Sequence, residues 1–363
     1  MTNILYFSNY ATLTRGGQRS TWFILRELDK TKFSPVLLCQ EEGDLTNNAR
    51  AAGIPAEILR VSDFTALRFY KAVPYVIRIA SIIQKYNIKI IHAEDLKVLF
   101  LAYFLKPFFN IKLIWHVRIR WELPIQRKFA LVLCDAIICV SKAISLSFSG
   151  HRKVFVARNG INAGEYLPDG DKITDARIPE KGLLIGYLAS LEKYKGPDVL
   201  IQAAPMVIAK HPDIKFLFIG NGPVEYVAYL KETVKKLNIE NSVIFWGEEQ
   251  KRLPLLMNRM DIFVLPSFSE GLSRSLMEAM CREKAIVASD IPENAEIIEH
   301  LKTGLLAKKG DPNDFAEKIN YILDNWQSAQ QMGKSARQYA AQNLTLAKTM
   351  EGIYTVYKYL LKT

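Results

Sequence analysis

Short apolar runs rich in Ile, Val, Leu and aromatic residues recur through the first half of the chain: Ile4 to Ser8, Val36 to Cys39, Ile88 to His92, Lys112 to Val117, Ala136 to Val140 and Lys153 to Ala157. Longer stretches of helical character separate them. Runs of this kind suit strands buried on both faces, and their alternation with helices makes the sheet parallel. A second series follows at Leu183 to Leu188, Ile214 to Ile219, Val243 to Trp246, Ile262 to Leu265 and Ala285 to Ala288. The pattern predicts two consecutive α/β sheets, each with helices on both sides. The last segment places Met350, Ile353, Tyr354, Tyr357 and Leu361 at helical intervals, which predicts a long terminal helix.

At 363 residues the chain is too long for one ordinary core and suits two domains. Between the two strand series lie Asn159-Gly160-Ile161 and the stretch GEYLPDGDKITDARIPEKG, residues 164–182, rich in Gly, Pro, Asp and Lys. That composition reads as an inter-domain linker. The expected division is 1–165, 166–345 and a terminal helix over 346–363 that crosses back to the first domain.

Charge separates the halves. Residues 1–165 hold 23 Lys and Arg against 12 Asp and Glu, residues 166–363 hold 25 against 25, and the whole excess of +11 lies in the first half. A basic half facing an acidic partner suggests anionic lipid or a polyanion. Nucleic acid is disfavoured because no binding motif accompanies the charge. The start reads as a strand from residue 3 and not as a secretory signal, and the longest apolar run, Val98 to Leu105, is broken by Lys106 and Pro107. Cys39, Cys134, Cys139 and Cys281 have no C-x-x-C spacing and read as buried free thiols. The expectation is a cytoplasmic protein, peripheral at most to the inner face of a membrane.

The densest chemical signal is DIFVLPSFSEGLSRSLMEAM, residues 261–280. A strand ends at Pro266, a loop carries Glu270 and Gly271, and a helix follows. In open α/β sheets ligands bind where strands end and helices begin. Gly271 lets backbone approach a ligand, and the N–H groups of the helix start can receive a phosphate. Glu278 lies away from the Leu272/Leu276 stripe and so is not expected in the core. Its alternative partner is Arg274, four residues earlier on the same helix face.

The order P-S-x-x-E-G-L, the spacing of the two glutamates and E-A-M resemble the signature of retaining glycosyltransferases of the GT-B fold, family 4. The resemblance implies two Rossmann-like, doubly wound domains facing a central cleft, with acceptor in the first and donor in the second. In such enzymes the first glutamate contacts the transferred sugar, the backbone after it cradles the pyrophosphate and the second glutamate holds the ribose. Carried over, these roles fall on Glu270, on Gly271, Leu272 and Ser273, and on Glu278, with Arg274 beside them as a further cation.

The resemblance extends over nearly the whole chain. Gly16-Gly17 stand where the family has a glycine loop near the donor phosphates, which makes Gly17 a donor-binding candidate. LIWHVRIR, residues 113–120, is similar to the strand end whose histidine lies near the reacting sugar, so His116 is the candidate there; a lone histidine at a strand end also reads as a structural residue. IGYLASLEKYKG, residues 185–196, resembles a segment with an arginine and a lysine that neutralise the leaving diphosphate. Lys195 matches the lysine, but Ser190 stands in the arginine position and can supply only a neutral hydrogen bond. Gly220 and Gly222 in IGNGP resemble a loop bordering the nucleotide. Glu283, Ala285 and Pro292-Glu293 stand where the family has glycine, proline and a glycine pair.

Asp169-Gly170-Asp171 sits in a polar stretch and not at a strand end, so it is rejected as a metal-binding D-x-D, and no metal or other cofactor is expected. What the resemblance implies is sugar transfer, with retention, from a UDP- or GDP-sugar to a saccharide or lipid-linked acceptor in polysaccharide or glycolipid synthesis. Two rivals stay open: a non-catalytic homologue that binds a sugar nucleotide or glycan, and an epimerase or hydrolase on the same fold.

Overall fold

The computed structural model describes residues 1–13, 16–61, 70–120, 124–148, 150–168, 170–179 and 182–362. They form two compact units, 1–160 together with 346–363, and 161–345. The first unit runs β1 (Thr2–Ser8), α1 (Gly16–Glu27), β2 (Phe33–Cys39), α2 (Asp44–Ala51), β3 (Ala56–Ile58), α3 (Val73–Tyr86), β4 (Ile88–Ala93), α4 (Leu96–Tyr103), β5 (Lys112–Val117), α5 (Pro124–Leu133), β6 (Ala136–Cys139), α6 (Lys142–Leu146) and β7 (Val154–Val156). Its sheet is parallel in the order β3-β2-β1-β4-β5-β6-β7. Strand order reverses between β1 and β4, so a crevice opens at their carboxyl ends. Ile4, Leu5, Tyr6 and Phe7 are all buried, as a central strand with helices on both faces must be.

The second unit continues with β8 (Leu184–Leu188), α7 (Pro197–Lys210), β9 (Lys215–Ile219), α8 (Val224–Lys236), β10 (Val243–Gly247), α9 (Leu253–Arg259), β11 (Ile262–Leu265), α10 (Arg274–Cys281), β12 (Ala285–Ser289), α11 (Pro292–Ala295), β13 (Leu305–Ala307), α12 (Pro312–Asp324) and α13 (Trp326–Asn343). Its sheet is parallel in the order β10-β9-β8-β11-β12-β13, with the reversal between β8 and β11. The final helix, α14 (Leu346–Leu361), belongs to the first unit. Ile353, Val356 and Tyr357 enter the core cluster of β1, β4 and β5, and Thr349 donates to the Arg158 carbonyl at 2.8 Å.

The stretch expected as a linker belongs to the second unit, which begins at Ile161. The Ile161 N–H donates to the Leu344 carbonyl at 2.7 Å, and Tyr166, Ile173 and Ile178 are buried. Arg282 lies over the Tyr166 ring at 4.7 Å and Arg177 over the Trp246 ring at 3.6 Å. Asn258 donates to the Asp171 carbonyl at 3.0 Å, and Arg259 donates to the carbonyls of Pro179 and Gly182. Among the described residues the segment is a strap, held through the carbonyls of Asp171, Pro179 and Gly182 by side chains of α9 and through that of Tyr166 by Arg337. Its buried apolar residues and bonded carbonyls fix it to the second unit, while Asp171, Lys172, Thr174 and Arg177 face solvent. Asp169, part of the rejected metal motif, lies outside the described residues.

All four cysteines are free and buried, and burial pushes the thiols of Cys39, Cys134 and Cys139 up to about 12. Glu283, one of the departures from the family pattern, follows α10 at φ 56°, the left-handed conformation that glycine adopts most readily after a helix. Its ion pair with Arg337 is long, at 3.8 Å, and partly solvated. Glu283→Gly should therefore stabilise the second unit by about 1 kcal/mol. Urea denaturation checks this; an unchanged or lower midpoint contradicts it.

Candidate active site

The loop from β11 to α10 is fastened to the loop from β8 to α7. Lys195 ends a single 3₁₀ turn, and its Nζ donates to Glu270 Oε2 at 2.8 Å. The Ser267 hydroxyl donates to Glu270 Oε1 at 2.7 Å, so both carboxylate oxygens are engaged. The Phe268 N–H donates to the Tyr194 carbonyl at 2.8 Å. Gly196 follows at φ 66° with no room for a side chain, because a Cβ there would strike the Pro266 carbonyl. These contacts sit where the strand order reverses between β8 and β11. Lys195 and Glu270 are both largely buried. Removing either partner of such a pair leaves an uncompensated buried charge.

Gly271 and Leu272 lead into α10, and both are buried. Ser273 is the N-cap: its Oγ accepts from the Leu276 N–H at 3.4 Å, closing the first turn. Glu278, which the stripe argument had kept out of the interior, is only 2% exposed. The reason is that α10 has no solvent face, every residue but Ser275 being buried. Arg274 Nη2 lies 3.7 Å from Glu278 Oε1, and Arg274 also reaches the Tyr166 hydroxyl at 3.5 Å. The exposed pair considered from sequence is thus a buried one, adjoining the strap.

Ser190 follows β8, and its carbonyl accepts from the Tyr187 hydroxyl at 2.8 Å. This loop lies against the one after β9: the Leu191 N–H donates to the Asn221 carbonyl at 2.9 Å. A Cβ at Gly220 would strike the Ala189 carbonyl, and one at Gly222 the Leu191 carbonyl. Both glycines therefore hold two backbones in contact. The structure brings Lys195 together with Glu270, Arg274 with Glu278, and the Ala189–Leu191 backbone with Gly220 and Gly222.

Gly17 and His116 lie in the first unit. A Cβ at Gly17 would sit 3.5 Å from Arg118 Cδ, close to a buried polar cluster. Glu94, just after β4, accepts from the Thr21 hydroxyl and from Arg118 Nε, the latter at 2.7 Å. Arg118 also donates to Thr21 at 2.9 Å and to Asn159 at 3.3 Å. One step deeper, His116 is 1% exposed and its Nδ1 pairs with His92 Nε2 at 2.9 Å. His92 Nδ1 meets the Tyr357 hydroxyl at 2.8 Å, which meets the Tyr6 hydroxyl at 2.5 Å. His116 Nε2 is buried and has no hydrogen-bond partner among the described residues.

The direction of this chain follows from counting donors. If Tyr6 donates to Tyr357, Tyr357 to His92 and His92 to His116, one N–H at His116 Nε2 is unmatched. The reverse leaves the Tyr6 hydroxyl hydrogen unmatched as well as the His116 lone pair, so the first direction costs less. His116 then presents an N–H donor. His92, Glu94, Arg118 and Tyr357 were missed as site residues, although the period-two pairs His92/Glu94 and His116/Arg118 place polar side chains on one sheet face. Burial and the nearby Arg118 charge hold His92 down to about 3, and His116 is lowered well below its ordinary value for the same reasons, with His92 adding to it.

Among the described residues no group of three or more His, Cys, Asp or Glu side chains is placed to hold a metal ion. Residues 14–165 match the family described as Glycosyltransferase Family 4, and residues 170–339 match Glycosyl transferases group 1. Spore coat protein SA of Bacillus subtilis is 29% identical, over 58% of this chain and 60% of that protein. The capsular polysaccharide biosynthesis glycosyltransferase CapM of Staphylococcus aureus is 23% identical, over 66% of each. The chain spans about three fifths of the length of the first named relatives it matches. Over its full length it superposes on a glycosyltransferase from Rickettsia africae with a TM-score of 0.85 at 20% identity, covering 99% of that chain. Anabaena Alr3699/HepE in complex with UDP-glucose gives 0.82 at 20%, covering 100% of both chains. These likenesses establish the fold.

A pH test follows from the two histidines. Their folded values are depressed, so below pH 6.5 the unfolded chain binds protons that the folded chain does not. Stability should be level between pH 8 and 7 with respect to these groups and fall below pH 6.5, by up to about 1.4 kcal/mol per pH unit for each histidine. Urea denaturation across pH 7.5 to 5 measures this; a flat profile contradicts the neutral buried pair.

Proposed function

The chain belongs to glycosyltransferase family 4, with the GT-B fold, and from that membership we propose that it transfers a sugar from a nucleotide-sugar donor to a saccharide or lipid-linked acceptor. The observation that carries the reading is the fastened loop pair in which Lys195, Ser267 and Glu270 converge beside the start of α10. The reaction builds negative charge on a departing diphosphate and positive charge on the sugar. In this proposal Lys195 and the N-terminal end of α10 stabilise the first, and Glu270 orients the second. Glu278, fixed by Arg274, receives the ribose hydroxyls.

Transfer proceeds with retention at the anomeric carbon and without a metal ion. The product is a cell-surface polysaccharide or glycolipid, a reading supported by the capsular polysaccharide relative. A uridine donor is the first choice because a protein of this fold was solved with UDP-glucose. Incubation with UDP- and GDP-sugars, a panel of acceptors and NMR of the anomeric proton in the product test these points together. Inverted product would overturn retention, and loss of activity on chelation would overturn metal independence.

Ser190 favours a second reading. It offers no cation, and the nearby cations Lys195 and Arg274 are engaged by Glu270 and Glu278, so a sugar-nucleotide binder without turnover is the rival. If the parent is inert with every acceptor while Ser190→Arg is active, the rival stands and the catalytic reading fails. On the catalytic reading, Glu278→Gln should weaken nucleotide affinity about ten-fold or more, and Glu270→Gln should lower kcat and also change UDP-glucose affinity, because it leaves Lys195 without its partner. Titration calorimetry and initial rates separate the two; unchanged affinity in Glu278→Gln returns Glu278 to a structural role.

A further inference from the structure

In α5 the buried side chains are Ala130 and Leu133, whereas Ile125, Phe129 and Val132 are 70%, 43% and 69% exposed. Their spacing of four and then three residues puts them on one stripe, so this helix turns an apolar face to solvent. The stripe does not end with the helix. Phe129 meets the Phe100 ring at 5.7 Å, Phe100 meets Phe104 at 5.0 Å, and Tyr103 meets Phe104 at 6.2 Å. Tyr103 and Phe104 are exposed, and Phe108 in the following turn is 80% exposed. Scattered apolar residues on a surface are ordinary, but a contiguous patch marks an interaction surface.

Charge identifies what the patch fits. Residues 100–160 hold ten Lys and Arg against two Asp and Glu, of which Arg118 is paired with Glu94 and Lys153 is bonded to backbone carbonyls. One of those acids, Asp135, is held by Lys106 at 2.9 Å. Lys128 is exposed on α5 beside Phe129, and Arg120 is exposed just ahead of the helix. A second copy of the chain would set this excess against itself, and an uncharged partner would gain nothing from it. Aliphatic and aromatic side chains bordered by cations match the boundary of an anionic bilayer, where rings enter the acyl edge and cations meet phosphates.

We propose that the face formed by α4, α5 and the turn through Phe108 docks on an anionic lipid surface. Among the described residues no helix is long and apolar enough to cross a membrane, so docking through this face is reversible and weakens with salt. The surface is independent of the donor pocket, and its test does not require turnover.

Flotation of the full chain with vesicles of phosphatidylcholine alone, and of phosphatidylcholine with phosphatidylglycerol, measures it. Binding should favour the anionic vesicles and fall in high salt. The triple variant Ile125→Ser, Phe129→Ser, Val132→Ser should bind them about ten-fold or more weakly, with an unfolding midpoint and a UDP-glucose thermal shift like the parent's. Lys128→Glu, which leaves the apolar stripe intact, should weaken binding about five-fold. Equal flotation on both vesicle types, or variants that float like the parent, would overturn the proposal. So would a parent dimer that the triple variant converts to monomer, since the stripe would then be a contact between copies.

Discussion

The second unit is organised around a lysine and a glutamate that neither can leave. Lys195 comes from the loop after β8 and Glu270 from the loop after β11, strands that are neighbours where the sheet order reverses. Out of water, each charge needs the other, and the second glutamate oxygen needs Ser267. Their pairing fixes the separation of the two loops. That separation in turn requires glycine at 196, against the Pro266 carbonyl, and positions the start of α10. The same constraint that joins the two loops therefore holds a cation and a carboxylate together at the carboxyl end of the sheet.

The first unit meets a comparable problem differently. Along β1, β4 and β5 the face under α1 and α14 changes from Ile4, Ile90 and Ile114 to Tyr6, His92 and His116, and then to Ser8, Glu94 and Arg118. Each polar layer takes a partner from a covering helix, Tyr357 of α14 for His92 and Thr21 of α1 for Glu94. The terminal helix thus completes a buried hydrogen-bond chain and does more than cover apolar surface. Among the described residues that row of hydrogen bonds ends on an unmatched nitrogen at His116.

Much of this was legible in the residues, for identifiable reasons. Lys112 to Val117 and Ile262 to Leu265 are strands with the bounds their apolar runs predict, because both are central and buried on both faces. β3 and β13, three residues each, were missed, whereas β7, equally short, was found because Val154, Phe155 and Val156 form an apolar run. The stretch 164–182 was read as a linker because composition does not show which carbonyls are bonded; Tyr166, Ile173 and Ile178, which are buried, were the hints. Glu278 was misplaced because a stripe argument assumes a helix with a solvent side, and α10 has none. The long-range pairs, Lys195 with Glu270 and Tyr357 with His92, depend on which strands become neighbours, a property of topology and not of local sequence.

The central claim is that Lys195 and Glu270 act as one unit in binding a nucleotide sugar. A double-mutant cycle on UDP-glucose affinity, using Lys195→Met, Glu270→Gln and the two together, measures it most directly. The account predicts strong non-additivity, with the double variant little weaker than the worse single one. Independent, additive effects, or four proteins of equal affinity, would contradict it.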